Sequence, residues 1–158
     1  ITVDPRGAKC NCGNKGCLEA LASGNAIKRE AIKVLLNHPE SEIYKRCQGK
    51  IENITPEITY QSARANDPFA QKIYQEMGRY LGIGIASLIN IFNPEMVIIG
   101  GGISKAWEAF FPSTQKEVQL RALKIPTLRV RLVPATRPDD SGLFGAAYSV
   151  FKYIGLLD

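Results

Sequence analysis

Three cysteines lie within eight residues of one another in the run CNCGNKGCLE, and they are the side chains best suited to chemistry. A disulfide between Cys10 and Cys12 would close a strained ring and would leave a third cysteine unpaired. Soft sulfur ligands on a glycine-containing turn suit Zn²⁺ instead. Gly13 and Gly16 can adopt positive φ and so bring Cys17 back to the other two. The pattern predicts a closed structural zinc site at these three cysteines.

A structural zinc site takes four ligands, and this run supplies three of them. The other candidates are His38 and Cys47, and neither has a ligand-type spacing to the run. His38 precedes Pro39 and is more simply explained as a surface residue at a helix end. Cys47 is more simply explained as a half-buried free thiol. We therefore expect the fourth ligand to lie outside this chain, and the chain to be part of a longer protein.

The apolar segment 96–99 is typical of a buried strand, and Gly100, Gly101 and Gly102 follow it directly. Glycines let a ligand lie against the backbone at the carboxyl end of a strand, and Ser104 can cap a following helix whose amides favour an anion. A tight turn also needs glycine for its own sake, so a nucleotide site and a plain turn both remain open. Glu19 follows Leu18 at a predicted helix start, where a carboxylate suits the helix dipole.

The remaining pattern predicts a helix-rich chain with two strands. The periodicity of apolar residues and the cap residues give these segments: helices at about 18–36 with a break at Ser23–Gly24, 56–65, 68–92, 104–124 divided at Pro112, and 141–154, and strands at 96–99 and 128–133. Gly82 and Gly84 interrupt the longest helix, which predicts the close approach of another element.

Composition favours one compact domain. The chain has 158 residues, of which 45% are apolar and 22% charged, and a net charge of +5. The basic residues are scattered, so charge alone gives little support for nucleic-acid binding. No apolar run approaches the roughly 20 residues of a membrane span. Free thiols and the lack of a signal-peptide pattern favour a reducing, cytoplasmic setting.

The motif CxCGxxGCLE resembles the zinc-knuckle signature of the ROK family (repressor, open reading frame, kinase), which contains bacterial sugar kinases and sugar-responsive repressors. Residues 93–104 (NPEMVIIGGGIS) and 139–147 (DDSGLFGAA) resemble the family in the same order. The resemblance implies an α/β fold, namely part of the C-terminal lobe of an actin-like ATPase (ribonuclease H-like) fold, helix-rich with a short, partly parallel sheet. The N-terminal lobe would be absent from this chain.

The resemblance also implies roles for single residues. In ROK proteins a Gly-His pair precedes the knuckle, and its histidine, the fourth zinc ligand, would fall just before Ile1. The glutamate that matches Glu19 accepts hydrogen bonds from a sugar hydroxyl, and the knuckle fixes the helix that carries it. The glycine turn that matches Gly100, Gly101 and Gly102 helps to bind the adenosine part of ATP.

No catalytic residue is assigned in this chain. The family's general base and its phosphate-binding Asp-Gly-Gly-Thr turn belong to the half that precedes this segment. Asp139 and Asp140 are more simply explained by turn and helix N-terminal chemistry.

The resemblance therefore implies that residues 1–158 are the C-terminal domain of a hexose kinase closest to the glucokinases, which uses ATP and Mg²⁺. The segment alone would be inactive, and we expect it to form a homodimer. Two other interpretations remain open: the sugar-sensing domain of a ROK repressor, whose separate helix-turn-helix binds DNA, and a catalytically inactive, zinc-stabilised interaction domain. The upstream residues distinguish kinase from repressor, because a phosphate-binding turn indicates the first and a recognition helix the second.

Overall fold

The computed structural model describes residues 1–156, the side chain of Ser141 excepted. Within that range the helices are α1 (Leu18–Leu21), α2 (Gly24–Asn37), α3 (Glu42–Cys47), α4 (Pro56–Arg64), α5 (Pro68–Phe92), α6 (Trp107–Arg121), α7 (Lys124–Arg129) and α8 (Ser141–Tyr153). The strands are β1 (Met96–Ile99) and β2 (Arg131–Pro134), and 3₁₀ turns occupy Ile51–Asn53 and Gly102–Ala106.

The helix starts lie where their cap residues predict them. Ser23 accepts from the backbone N–H of Ala26 at the start of α2, and Thr55 accepts from that of Ile58 at the start of α4. Asp67 caps α5 in the same way, and a proline at the first position follows both Thr55 and Asp67. The end of α5 is confirmed too, since Asn93 after it has φ 45°.

The long helix α5 is the centre of the fold, and α6 packs closely against it. A Cβ built on Gly78 would lie 2.3 Å from the carbonyl oxygen of Phe110, and one on Gly82 would lie 2.6 Å from that of Thr114. The hydroxyl of Thr114 donates to the carbonyl of Gly78 over 2.9 Å. The predicted close approach of another element to the glycines of α5 is therefore confirmed.

The sheet has two parallel strands, with Val97 opposite Leu132 and Ile99 opposite Pro134. Val97 and Ile99 pack on a small core formed by Ile85, Ile89 and Val118 of α5 and α6. The other face is bare, because Ile98 is 63% exposed. Val97 and Ile99 are half-buried, so the prediction of a buried strand is right only in part for their face and wrong for the face of Met96 and Ile98.

The second strand was predicted at 128–133 and begins later. α7 extends through Arg129, and Arg131 is the first residue to pair, donating from its backbone to the carbonyl of Glu95 over 3.0 Å. The apolar–basic alternation of 128–133 fits a strand, but β1 has only four residues. The residues before Arg131 therefore have no strand beside them with which to pair.

Two further details of the helix predictions were wrong. Pro112 lies inside α6 and does not divide it. It removes one backbone donor, and the packing of Phe110 and Thr114 on α5 keeps the helix continuous through it. Ser104 does not cap a helix, because its hydroxyl donates to the carbonyl of Gly101 inside the 3₁₀ turn.

The short helix α3 was not predicted. It has six residues, which is too short for a clear helical period, and Ser41 caps it. None of the helices within residues 1–156 has the length and apolar character needed to cross a membrane.

The last helix, α8, stands apart from the core. Its N-cap position is Asp140, whereas Ser141 was predicted to cap it; the side chain of Ser141 lies outside the described part of the chain. Large apolar side chains along α8 face solvent: Leu143, Phe144, Tyr148, Val150, Phe151 and Tyr153.

Candidate functional site

The cysteine loop (residues 10–17) is shaped by its own backbone hydrogen bonds. The N–H of Cys10 donates to the carbonyl of Asn14 over 2.8 Å, and that of Gly13 donates to Cys10 over 3.0 Å. Gly13 has φ 92° and Gly16 has φ 66°, as predicted. These conformations disfavour any side chain, and they turn the chain so that Cys17 returns to the start of the loop.

The three thiols of the loop converge. The Sγ atoms of Cys12 and Cys17 are 3.6 Å apart, and all three Sγ atoms lie within 4.8 Å of one another. Zinc–sulfur bonds of about 2.3 Å at tetrahedral angles separate sulfur atoms by about 3.8 Å. Cys10 and Cys17 are half-buried, Cys12 is exposed, and all three are free thiols. The arrangement fits three ligands of a tetrahedral zinc site with a fourth position open.

The thiols of the loop differ in acidity. Hydrogen bonding to the backbone of Asn14, then to Cys10 and Cys17, lowers the pKa of Cys12 below its ordinary value. The hydrogen bond between Cys17 and Cys12 raises the pKa of Cys17 to about 11. Ionisation is therefore favoured at the exposed Cys12 over Cys17.

The two alternative ligands lie elsewhere. The ring of His38 stacks on Phe69 with centroids 3.9 Å apart, and its Nδ1 is 3.1 Å from a carboxylate oxygen of Glu40. Cys47 is the last residue of α3 and is fully buried in the main core, so the expectation of a half-buried thiol is corrected to complete burial. The unpredicted helix α3 turns this side chain into the core.

Glu19 lies in the single turn α1, two residues after the last cysteine of the loop. Its side chain is exposed, and its carboxylate makes no hydrogen bond or ion pair with any residue in the described range. The turn is fixed from beneath, since Leu18 lies on Gly84 of α5, where an added Cβ would be 3.0 Å from Leu18 Cδ2. The structure thus presents a free carboxylate on a fixed backbone, two residues after the last of the three thiols.

The glycine turn lies at the carboxyl end of β1 and is open to solvent. Gly101 has φ 79°, and within residues 1–156 a Cβ built on Gly101 or Gly102 would have no heavy atom within 4 Å apart from those of its immediate neighbours along the chain. A Cβ on Gly100 would be 3.6 Å from Ala135, which follows β2. The turn therefore leaves room for a ligand against the backbone at this edge of the sheet.

Sequence reasoning missed an ion pair beside this turn. The Nζ of Lys105 lies 2.7 Å from Oδ2 of Asp139, and it joins the 3₁₀ turn after β1 to the segment after β2. The carboxyl ends of parallel strands lie at the same edge of a sheet. From this rule the segments that follow β1 and β2 could have been predicted to lie close together. Asp139 is thus engaged in an ion pair.

A surface cleft of about 840 Å³ lies elsewhere, between α2, α5 and residues 4–8. Arg29, Lys33, Phe69 and Lys72 are among its lining residues, whereas Glu19 and the glycine turn are not. The predicted site residues are therefore not in this cleft.

Known proteins resemble the chain over nearly its whole length. The sequence profile of the ROK family matches residues 1–152. A glucokinase of Thermotoga maritima is 36% identical over 155 residues, which are 98% of this chain and 49% of that protein. The N-acetylglucosamine repressor of Escherichia coli is 31% identical over 137 residues, which are 84% of this chain and 32% of that protein.

A solved structure of a ROK family protein also resembles this chain. A ROK family glucokinase from Streptomyces griseus, in complex with glucose and AMPPNP, matches with a TM-score of 0.80 and 31% identity, over 93% of this chain and 48% of its own. The chain thus spans about half the length of these glucokinases. It belongs to the ROK family.

Proposed function

We propose that this chain is the C-terminal domain of an ATP-dependent hexose kinase, closest to the ROK glucokinases. One observation carries the proposal: an unpaired carboxylate, Glu19, is held beside a three-thiol cluster in a chain that is 36% identical to a glucokinase along 98% of its length. The intact enzyme transfers the γ-phosphoryl group of ATP to a sugar hydroxyl.

Glu19 is the sugar ligand in this proposal. Sugar hydroxyls are donors, and a charged acceptor gives them stronger hydrogen bonds than a neutral one. The carboxylate has no partner among the described residues that would compete for it. Because α1 is fixed by Cys17 on one side and by Leu18 on α5 below, little ordering is needed when sugar binds.

The metal has a structural role in this proposal. Cys10, Cys12 and Cys17 would hold Zn²⁺, and a histidine outside this chain would complete the four ligands. The bound metal would tie both ends of the loop together and so fix the start of α1. Its contribution to sugar binding is therefore indirect, through the placement of Glu19.

The nucleotide binds at the glycine turn in this proposal. Gly100, Gly101 and Gly102 offer exposed backbone with open space beside it, which suits the adenosine part of ATP. The Streptomyces enzyme, solved with AMPPNP, supports nucleotide binding by the intact protein. The sugar hydroxyl gives its proton to an aspartate outside this chain, and Mg²⁺ accompanies ATP.

We further propose that an N-terminal lobe completes the protein and that the protein is a homodimer. The bare face of β1 at Ile98 and the apolar side chains of α8 are the surfaces that need covering. The matched glucokinases are about twice as long as this chain, which supports a lobe of similar size.

A repressor is the second candidate, and one observation favours it. The N-acetylglucosamine repressor matches 84% of the chain at 31% identity, so the same domain occurs in DNA-binding regulators. In that case Glu19 would bind an inducing sugar, and a separate domain would bind DNA.

The test uses the gene product extended upstream of Ile1. With glucose, ATP and Mg²⁺, a coupled assay should show turnover, and Glu19→Ala should raise the KM for sugar far more than the KM for ATP. The 158-residue chain alone should show none. Sugar binding without turnover in the extended protein would favour the repressor, and equal effects of Glu19→Ala on both KM values would reduce Glu19 to a folding role.

A further inference from the structure

The N-terminal arm (residues 1–4) lies along the outgoing half of the cysteine loop. The N–H groups of Val3 and Asp4 donate to the carbonyl of Gly16 over 2.8 and 3.2 Å, and the N–H of Leu18 donates to the carbonyl of Ile1 over 2.9 Å. Any movement of the arm therefore moves the backbone on both sides of Cys17.

Asp4 joins this arm to its surroundings. Its Oδ1 accepts from the backbone N–H of Arg6 over 3.0 Å, and its carbonyl accepts from that of Gly7 over 2.8 Å. A Cβ built on Gly16 would lie 1.4 Å from the Asp4 carbonyl oxygen, so the two backbones are in direct contact. The Oδ2 of Asp4 accepts a hydrogen bond from the hydroxyl of Tyr80, 3.3 Å away on α5.

The arm meets α5 at a second point on the same face. Gly84 is four residues after Tyr80, and in a helix such residues lie one above the other. A Cβ on Gly84 would be 3.0 Å from Leu18 and 3.5 Å from Ile1. Van der Waals contact at Gly84 fixes how close the arm approaches, and the hydrogen bond at Tyr80 is directional, so it sets the position of the arm along the helix.

We infer that Tyr80 is a positioning residue for the three-thiol cluster: its hydroxyl holds Asp4, Asp4 holds Gly16, and Gly16 sets the backbone of Cys17. The inference rests on the proposed metal site for its functional meaning. At 3.3 Å the hydrogen bond is longer than most between hydroxyl and carboxylate, so its loss loosens the arm without unfolding the domain.

Tyr80→Phe is the test, because it removes the hydroxyl and leaves the ring and its contact with the Arg79 guanidinium. Tyr74→Phe is the matched control. It makes the same chemical change on the same helix and breaks the 2.8 Å bond from the Tyr74 hydroxyl to the carbonyl of Pro56, far from the cysteine loop in sequence. Asp4→Asn keeps an acceptor for Tyr80 and serves as the conservative rescue.

Two readouts are made on the chain extended upstream of Ile1, which in the proposed function supplies the fourth zinc ligand. The first is titration with Co²⁺, followed by its thiolate charge-transfer band, with Zn²⁺ competition. Partners of metal ligands typically contribute 10–100-fold to affinity, and Tyr80 acts one step further away, so we expect a loss of roughly 3- to 10-fold for Tyr80→Phe. By the same argument, the metal affinities of Tyr74→Phe and Asp4→Asn should lie within about twofold of that of the unchanged chain.

The second readout needs no metal. Amide hydrogen exchange of Asp4 and Leu18 should speed up in Tyr80→Phe and stay unchanged in Tyr74→Phe. Equal metal affinity and equal exchange in Tyr80→Phe and the unchanged chain would overturn the inference, as would an equal loss of affinity in Tyr74→Phe. If the unchanged chain binds neither metal, the proposed metal site fails, and the exchange result alone decides whether Tyr80 holds the arm.

Discussion

The carboxylate of Asp67 accepts a hydrogen bond from the backbone N–H of Glu42, 25 residues away along the chain. Its other oxygen accepts from the N–H groups of Phe69 and Ala70 at 2.8 and 3.0 Å, so one side chain caps both α3 and α5. Asp67 is only 3% exposed. Two helix N-termini, each with a partial positive charge, thus meet at one buried carboxylate.

Asp67→Ala should therefore destabilise the domain more than the loss of an ordinary cap. A single cap contributes typically about 1 kcal/mol, and two caps at a buried site give an expected loss of about 2–4 kcal/mol. Ser41→Ala is the control, with an expected loss of about 1 kcal/mol; it removes one capping bond from α3 and the bond from the Ser41 hydroxyl to the carbonyl of His38. Urea unfolding measures both. Equal losses would show that the bond to Glu42 contributes nothing.

The three glycines of α5 should respond differently to alanine. At Gly78 and Gly82 the new methyl group meets backbone atoms of α6 at 2.3 and 2.6 Å, and a backbone cannot move aside cheaply. We expect losses of about 1–3 kcal/mol or more there. At Gly84 the methyl meets the flexible end of Leu18 at 3.0 Å, and the gain in helix propensity of about 1 kcal/mol offsets the contact.

Urea unfolding of the three alanine variants gives the ranking. If Gly84→Ala is as destabilising as Gly78→Ala, then the arm is held more rigidly on α5 than the flexible contact with Leu18 indicates.

The sequence predicted strand β1 and the starts of α4 and α5 better than strand β2, for a physical reason. The starts of α4 and α5 depend on local cap chemistry at Thr55 and Asp67, which is visible in a few consecutive residues. Strand β2 depends on which residues of β1 lie beside it, and no local pattern contains that information. Helix α3 was not predicted, because its second cap, Asp67, is remote from it in the sequence.

The site was predictable to the same degree. Cys10, Cys12 and Cys17 are close in sequence, and glycine conformation brings their thiols together, so spacing alone was informative. The pairing of Lys105 with Asp139 and of Tyr80 with Asp4 joins residues that are far apart in the chain. Such pairs follow only from the packing of α5 and the register of the sheet.

In the metal-free protein, Cys12, Cys17 and Cys47 should react with iodoacetamide in a fixed order. Cys12 should react first, because its pKa is lowered and its side chain is exposed, so the thiolate fraction at any given pH is larger. Cys17, with its pKa raised to about 11, should react later and should gain most as the pH rises from 7 toward 9. Cys47 should react only on unfolding, because it is fully buried.

Peptide mapping by mass spectrometry at several times gives the order. Prior addition of Zn²⁺ should slow all three loop thiols and leave Cys47 unchanged, and a loop thiol that zinc does not protect would not be a ligand.

Alanine at Gly101 and at Gly102 should separate turn geometry from ligand binding. Gly101 has φ 79° and ψ 174°, a backbone region that is essentially restricted to glycine, so alanine should cost about 1–3 kcal/mol there, whereas Gly102 has no such constraint. Neither methyl group meets a neighbour within the described residues. Unfolding measurements should therefore find Gly101→Ala destabilised and Gly102→Ala close to neutral.

Nucleotide binding should respond differently from stability. If ATP lies against this turn, both variants of the upstream-extended protein should bind AMPPNP more weakly in calorimetry, because either methyl group fills the space that the ligand needs. Unchanged binding in Gly102→Ala would leave the glycines as turn residues only.

The 158-residue chain should self-associate through its bare apolar surfaces. Ile98 on the sheet is 63% exposed, and Phe151 on α8 is 46% exposed although both are large and apolar. Patches beyond a few hundred Å² rarely remain in contact with water. Sedimentation equilibrium at tens of micromolar should therefore give a mass near twice 17.4 kDa.

Two variants, Ile98→Glu and Phe151→Glu, identify the interface when they are measured separately, because only the variant that lies on the interface becomes monomeric. A clean monomer in the unchanged chain would mean that water tolerates both surfaces, and that dimerisation, if it occurs, requires residues outside this chain.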